Sequence, residues 1–84
     1  MSYQIEILPR AQKELAALPQ QTYSRVRDAI RNLALSPRPA GCKKLVGREG
    51  WRIRIGSFRV IYEIDDKAQK LIVMHVGHRR DVYD

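Results

Sequence analysis

The sequence predicts an α+β domain with an N-terminal strand and a helical hairpin packed on one face of a mainly antiparallel four-stranded sheet to which that strand belongs, in the order β-α-α-β-β-β. Three observations carry this reading. Residues 51–64 alternate apolar and basic positions around a Gly56-Ser57 pair. Residues 11–33 place apolar side chains at helical spacing, interrupted at Pro19. Residues 70–77 form an apolar run behind a polar turn. One strand, two helices and then consecutive short strands is the pattern of helices segregated to one side of an antiparallel sheet.

Each element follows from its residues. Tyr3, Ile5 and Ile7, with Leu8, give a first strand closed by Pro9. Ala11, Leu15 and Leu18 recur at i, i+4 and i+7, the period of a short amphipathic helix that Pro19 ends. A second helix over residues 20–35 puts Tyr23, Val26, Ile30 and Leu33 on one stripe. Neither helix is long enough to be stable alone, so both depend on packing that stripe. The prolines and glycine of residues 36–41 form a loop. Lys43 and Lys44 begin a short strand or an extended lead-in, and residues 48–50 turn into the hairpin. After Ile64, residues 65–69 make a polar turn. The run from Lys70 to Gly77 is apolar on both sides, as expected of a central, doubly covered strand.

The hairpin separates two kinds of surface. Trp51, Ile53, Ile55, Phe58, Val60, Tyr62 and Ile64 alternate with Arg52, Arg54 and Arg59. Successive strand side chains point to opposite faces. Gly56-Ser57 is a two-residue turn signal, because glycine accepts the positive φ such a turn needs. With that turn, Ile55 faces Phe58, Arg54 faces Arg59, Ile53 faces Val60 and Arg52 faces Ile61. Three arginines then share the face that the helices leave open. Like charges opposite each other cost a few tenths of a kcal/mol or more. An anionic ligand would offset that cost.

Composition narrows the function classes. At 84 residues, 44% hydrophobic, the chain is a single domain (residues 1–84) with an ordinary globular balance. A lone cysteine, Cys42, forbids an internal disulfide and fits the cytoplasm better than secretion. The start of the chain lacks the pattern of a signal peptide, and no run approaches the roughly 20 apolar residues that span a bilayer, so no membrane is expected. Sixteen Lys+Arg against nine Asp+Glu give a net charge of +7, which points to nucleic acid, an anionic surface or an acidic protein partner. Arg25, Arg27 and Arg31 fall on the second helix and read as a solvated face. The sidedness of the hairpin is the stronger signal.

The residues that could do chemistry are few. Arginine forks are planar, permanently charged and matched to phosphate oxygens. Several on one rigid face would bind a phosphodiester and stabilise charge developing on phosphorus. His78, Arg79, Arg80 and Tyr83 follow the last strand, and a histidine or tyrosine can exchange or share a proton. His75 and His78 lie three apart, on opposite faces of a strand, and make no metal pair; His75 reads as a satisfied structural histidine. There is no glycine-rich phosphate loop, no Gly-x-Ser-x-Gly elbow, no Cys–His nucleophile and no zinc motif. No acidic set would hold a divalent metal, so no metal or other cofactor is expected. Metal-free phosphodiester cleavage favours RNA, whose 2′-hydroxyl is an internal nucleophile.

Three segments together, Lys44-Leu-x-Gly47, Trp51-Arg-Ile-Arg-Ile-Gly-Ser-Phe-Arg-Val-Ile-Tyr62 and Val76-Gly-His-Arg-Arg-Asp-Val-Tyr83, resemble the RelE/ParE toxin superfamily, most closely its RelE-like branch. The likeness runs from Tyr3 to Tyr83 and implies a helical hairpin on an antiparallel sheet. It further implies a cytoplasmic type II toxin that cuts messenger RNA in the ribosomal decoding site, in contact with ribosomal RNA. A RelB-like antitoxin would wrap the toxin in a hetero-oligomer. By position, Arg52 and Arg54 match the paired basic residues of the hairpin's first strand. Arg59 matches the phosphate-contacting arginine, Arg79 the arginine after the last strand, and Tyr83 the terminal tyrosine. Lys43, Lys44, Arg48 and Arg80 are expected as flanking RNA contacts. Some members carry lysine at the positions of Arg52 and Arg54. Arginine, with a pKa above about 12, is a poor general base, which leaves the base unassigned and makes His78 a candidate. Val46 stands where some members carry arginine, with Arg48 two residues on. The ParE branch, which inhibits DNA gyrase without nuclease activity, is the rival reading, and a non-catalytic ribosome- or RNA-binding module a third.

Overall fold

The structure is a computed structural model and describes residues 2–78. Strand β1 (Gln4–Ile7) is followed by helices α1 (Pro9–Ala16) and α2 (Gln20–Leu33). Strands β2 (Lys43–Lys44), β3 (Trp51–Ile55), β4 (Phe58–Asp65) and β5 (Lys70–His78) complete the order. The sheet order is β1-β5-β4-β3-β2, with β1 parallel to β5 and the remaining pairs antiparallel. The expected two-layer α+β architecture therefore holds, with five strands in place of four. The extra strand is β2, whose two residues pair as Lys43 with Arg52 and Lys44 with Trp51.

Local chemistry sets the element ends. Pro9 closes β1 and also opens α1, where a missing N–H leaves no helical hydrogen bond unmade. Helix α2 stops at Leu33, two residues short of the expected end. The N–H groups of Ala34 and Leu35 donate to the carbonyls of Arg31 and Asn32, a tighter three-residue step that ends the ladder. Leu35 is then exposed, and the prolines at 37 and 39 forbid continuation. Leu45 N–H donates to Gly50 O at 3.0 Å and closes the loop before β3. Gly50 has φ +123°, and a Cβ there would stand 3.1 Å from Leu45 Cδ1, so only glycine fits this corner.

The main core lies between the helices and the sheet. Ala11, Leu15, Val26, Ile30 and Leu33 of the helices meet Ile53, Val60, Tyr62, Leu71, Val73 and Val76 of the strands. Tyr62 is fully buried and its hydroxyl donates to Pro37 O at 2.7 Å. Burial holds the phenol protonated by raising its pKa. Strand β5 is interior, as its composition suggested, yet helices cover only one of its faces. On the other face Met74 packs with Leu45 and Ile61 as a small second cluster.

The β4–β5 ladder slips by one residue between Ile61 and Tyr62, passing over Met74. This bulge lets Val73 and Val76, three apart, both reach the helix-side core. Glu14 of α1 fills the gap in the ladder: its Oε1 accepts from the Val76 N–H at 2.9 Å, and His75 Nδ1 lies 2.6 Å from its Oε2. His75 is thus a satisfied structural histidine. At the other end, Asp66 accepts from Tyr3 Oη at 2.6 Å and from Arg38 at 2.9 Å. Arg38 also lies over the Trp51 ring at 5.0 Å. This cluster ties the β4–β5 turn to the start of β1 and to the loop before β2.

Candidate nucleic-acid interface

The register of the hairpin is the one its sequence dictates: Ile55 pairs with Phe58, Arg54 with Arg59, Ile53 with Val60 and Arg52 with Ile61. Gly56 has φ +60° while Ser57 does not enter the positive region, the signature of a two-residue turn with glycine in first place. Turn chemistry thereby fixes which strand residues share a face. Two ladder rows result on the side away from the helices. Lys43, Arg52 and Ile61 form one. Arg54, Arg59 and Gly77 form the next.

The arginines of this face are not equivalent. Arg54 is exposed and Arg59 half-buried, whereas Arg52 is only 3% exposed. The expectation of three solvent-facing guanidinium groups fails at Arg52 because the free face is not bare. Arg52 sits in the ladder beside Ile61, and Leu45 and Ile61 are themselves buried there. Burial lowers the Arg52 pKa, and the nearby Arg54 charge adds to the effect. Starting above about 12, the group still carries its charge at neutral pH. Cation thus stands against cation along both rows, a pairing that taken alone is unfavourable in a sheet.

Other expected contacts fall elsewhere. Lys44 lies over the Trp51 ring at 5.5 Å and 3.9 Å from Glu49. Trp51 packs against the helix-side core, so alternation puts Lys44 on the opposite side of the ribbon from Arg52. Arg48 is exposed in the loop of residues 45–50. Strand β5 extends through His78, one residue further than Gly77 suggested. His78 pairs with Phe58, and their rings meet edge to face at 5.6 Å. Alternation sets this ring pair on the side of the ribbon away from Arg59. Arg79, Arg80 and Tyr83 lie outside the described residues. Among the described residues, no three His, Cys, Asp or Glu side chains converge on a common point.

One basic residue read as solvated surface is exposed as expected and also lies near the hairpin turn. The guanidinium of Arg25, on α2, reaches the hairpin turn, with Nη1 and Nη2 3.8 and 3.9 Å from where a Cβ of Gly56 would stand. Helical spacing alone could not show this, because the contact depends on how α2 crosses the sheet.

Comparison with known proteins agrees with this geometry. Residues 5–83 match the family described as the ParE toxin of the type II toxin–antitoxin system, parDE. A candidate toxin, RelE1, of Methanocaldococcus jannaschii is 33% identical over 99% of this chain and 97% of its own length. Toxin RelG of Mycobacterium tuberculosis is 29% identical over 99% and 98%. Among solved structures, the archaeal RelE–RelB complex from Pyrococcus horikoshii superposes with a TM-score of 0.84 at 27% identity, covering 98% of this chain and 100% of that one. The intact Escherichia coli RelBE complex gives 0.80 at 26% identity, covering 92% and 96%. The chain belongs to the RelE/ParE family of toxins of type II toxin–antitoxin systems.

Proposed function

We propose that this toxin is a ribosome-dependent endoribonuclease that cuts messenger RNA in the decoding site and so stops translation. The observation that carries the reading is the pair of cationic ladder rows on one rigid face, with Arg54 exposed and Arg59 opposite it. The RelE relatives support the nuclease branch over the gyrase-inhibiting one. RelE–RelB complexes among the structural neighbours support an antitoxin of RelB type as partner, assembled with the toxin as a hetero-oligomer; the proposed site of action is the cytoplasm, where messages are translated.

In this mechanism the messenger's 2′-hydroxyl attacks the adjacent phosphorus. The O2′–P bond forms, the P–O5′ bond breaks, and a 2′,3′-cyclic phosphate and a 5′-hydroxyl result. Arg54 and Arg59, with Arg79, bind the non-bridging oxygens and stabilise their growing charge. Arg52, buried in the same face, is a positioning residue that holds the cationic row in place rather than a group that reaches the phosphate. Tyr83 assists proton transfer or stacks on a base. His78, set on Phe58 across the ribbon from Arg59, is given no proton to carry. Lys43 and Arg48 contact flanking RNA, together with Arg80. The chemistry uses no metal.

The experiment is induction of Arg59→Ala against the unaltered chain, with primer extension on translated messages. Loss of one donor to the transition state typically costs about 2.7–4 kcal/mol, or 10²–10³-fold in rate. Codon-positioned cuts should nearly vanish while the protein keeps its fold. Cutting at an unchanged rate refutes the assignment, and intact RNA with damaged DNA on inducing the unaltered chain supports the gyrase-directed reading instead.

A further inference from the structure

The distal end of the hairpin carries more charge than the two ladder rows account for. The Arg54–Arg59 row lies next to the Ile55–Phe58 row, and Gly56-Ser57 follows at once. Arg25 rests against that turn from α2. Three guanidinium groups therefore crowd the last rows of one ribbon, each borne on a helix or strand. On other parts of the molecule Arg10 pairs with Glu14, Arg27 with Asp28 and Arg38 with Asp66. Among the described residues no carboxylate pairs with Arg25. The same end carries an aromatic ring, Phe58, which is half-exposed and held edge-on by the ring of His78. An exposed cation near the turn and a partly exposed ring two residues from it supply the two groups that bind single-stranded nucleic acid, charge for the backbone and stacking for the base.

We infer that the hairpin tip is a second nucleotide subsite for single-stranded RNA, in which Arg25 takes a backbone phosphate and Phe58 stacks a base. The subsite rests on the nuclease reading above and extends it. The strand entering the arginine face continues around the turn towards α2, so the toxin grips a neighbour of the cleaved nucleotide as well as the scissile phosphate. Arg25 and Phe58 act here as binding residues that set the register of the RNA. Neither touches the reacting atoms.

The test is binding of a short single-stranded RNA, of about a dozen nucleotides, to the full chain by fluorescence anisotropy across a salt series. Arg25→Gln should weaken binding and reduce the slope of log K against log salt by about 0.7, one phosphate contact. Phe58→Leu should weaken it by roughly tenfold to a hundredfold, with the salt slope unchanged. Against an abasic RNA of the same length, the Phe58→Leu defect should disappear and the Arg25→Gln defect persist. That contrast separates loss of stacking from damage to the fold. Arg54→Gln serves as the control for the arginine face. If Arg54→Gln weakens binding while Arg25→Gln and Phe58→Leu bind as the unaltered chain does, the subsite is overturned and the nuclease reading stands. If the unaltered chain fails to bind the RNA, the subsite is overturned, while the ribosome-dependent nuclease reading is decided by the primer-extension experiment.

Discussion

On the helix-covered face of the sheet Val60, Tyr62, Leu71 and Val73 are closed off from solvent, whereas one residue along the hairpin strands the opposite face carries Arg54 and Arg59. The two sets come from the same backbone and differ only in the parity of their positions. The first face is held by area removed from water, at roughly 25 cal/mol per Å² of apolar surface. The second places cation against cation at the Arg54–Arg59 pair, which by itself opposes strand pairing. If the arginine face binds RNA as proposed, stability and binding are divided between the two sides of one ribbon, and a substitution should disturb one side without the other.

The largest effect should come from the covered face. Leu71→Ala removes a fully buried side chain from the main core. Such truncations cost about 2–5 kcal/mol, a large part of the roughly 5–15 kcal/mol that holds a small domain together. A urea titration should show the midpoint collapse, and an unmoved midpoint would mean that this face does not carry the fold. Next comes Tyr62→Phe, which deletes only the hydroxyl that donates to Pro37 O. A part-buried carbonyl left without its donor costs about 1–3 kcal/mol. The same titration should find that loss with little change in the slope.

Across the ribbon the sign should reverse. Arg54→Thr takes one charge from the Arg54–Arg59 pair and puts a β-branched residue in its place. Relief of the repulsion and the better strand residue together should stabilise the fold by about 0.2–1 kcal/mol, while cleavage of translated messages falls. A variant that loses stability and activity together would show that Arg54 is part of the scaffold and would break the division between faces.

The hairpin is legible in the sequence because three independent signals agree on it. Gly56 fixes the turn, alternation fixes the faces, and the two together fix the register down to the pairing of Arg54 with Arg59. Helix α2 is legible from its stripe, to within two residues at Leu33. Features that escape the sequence depend on where separate segments meet. The burial of Arg52 comes with the loop that brings Leu45 onto the free face, and the two-residue strand before that loop is too short to leave a pattern. The bulge opposite Ile61 and Tyr62 leaves no mark in a run of apolar residues. Lys44 reads as part of the cationic face, and only its pairing with Trp51 sets its parity the other way. The contact of Arg25 with the turn needs the crossing of α2 over the sheet, which no helical period contains.

The smallest expected effect lies at the end of the sheet away from the hairpin tip, where charge is matched rather than massed. Hydrogen bonds from Arg38, and then from Tyr3, lower the Asp66 pKa below its ordinary value. In the unfolded chain the carboxyl titrates near about 3.9. A carboxylate favoured in the folded state contributes stability above the unfolded pKa and loses it as pH falls through the folded one. The difference in urea midpoint between the unaltered chain and Asp66→Asn should therefore be constant from about pH 7 to about pH 5 and close below about pH 4. Because these groups are exposed, concentrated salt should shrink the difference at neutral pH as well. A gap that stays undiminished as the pH falls far below the unfolded carboxyl's range would mean that Asp66 acts through shape rather than charge. The contrast between the Asp66 cluster and the cation-rich hairpin end of the same sheet would then lose its electrostatic basis.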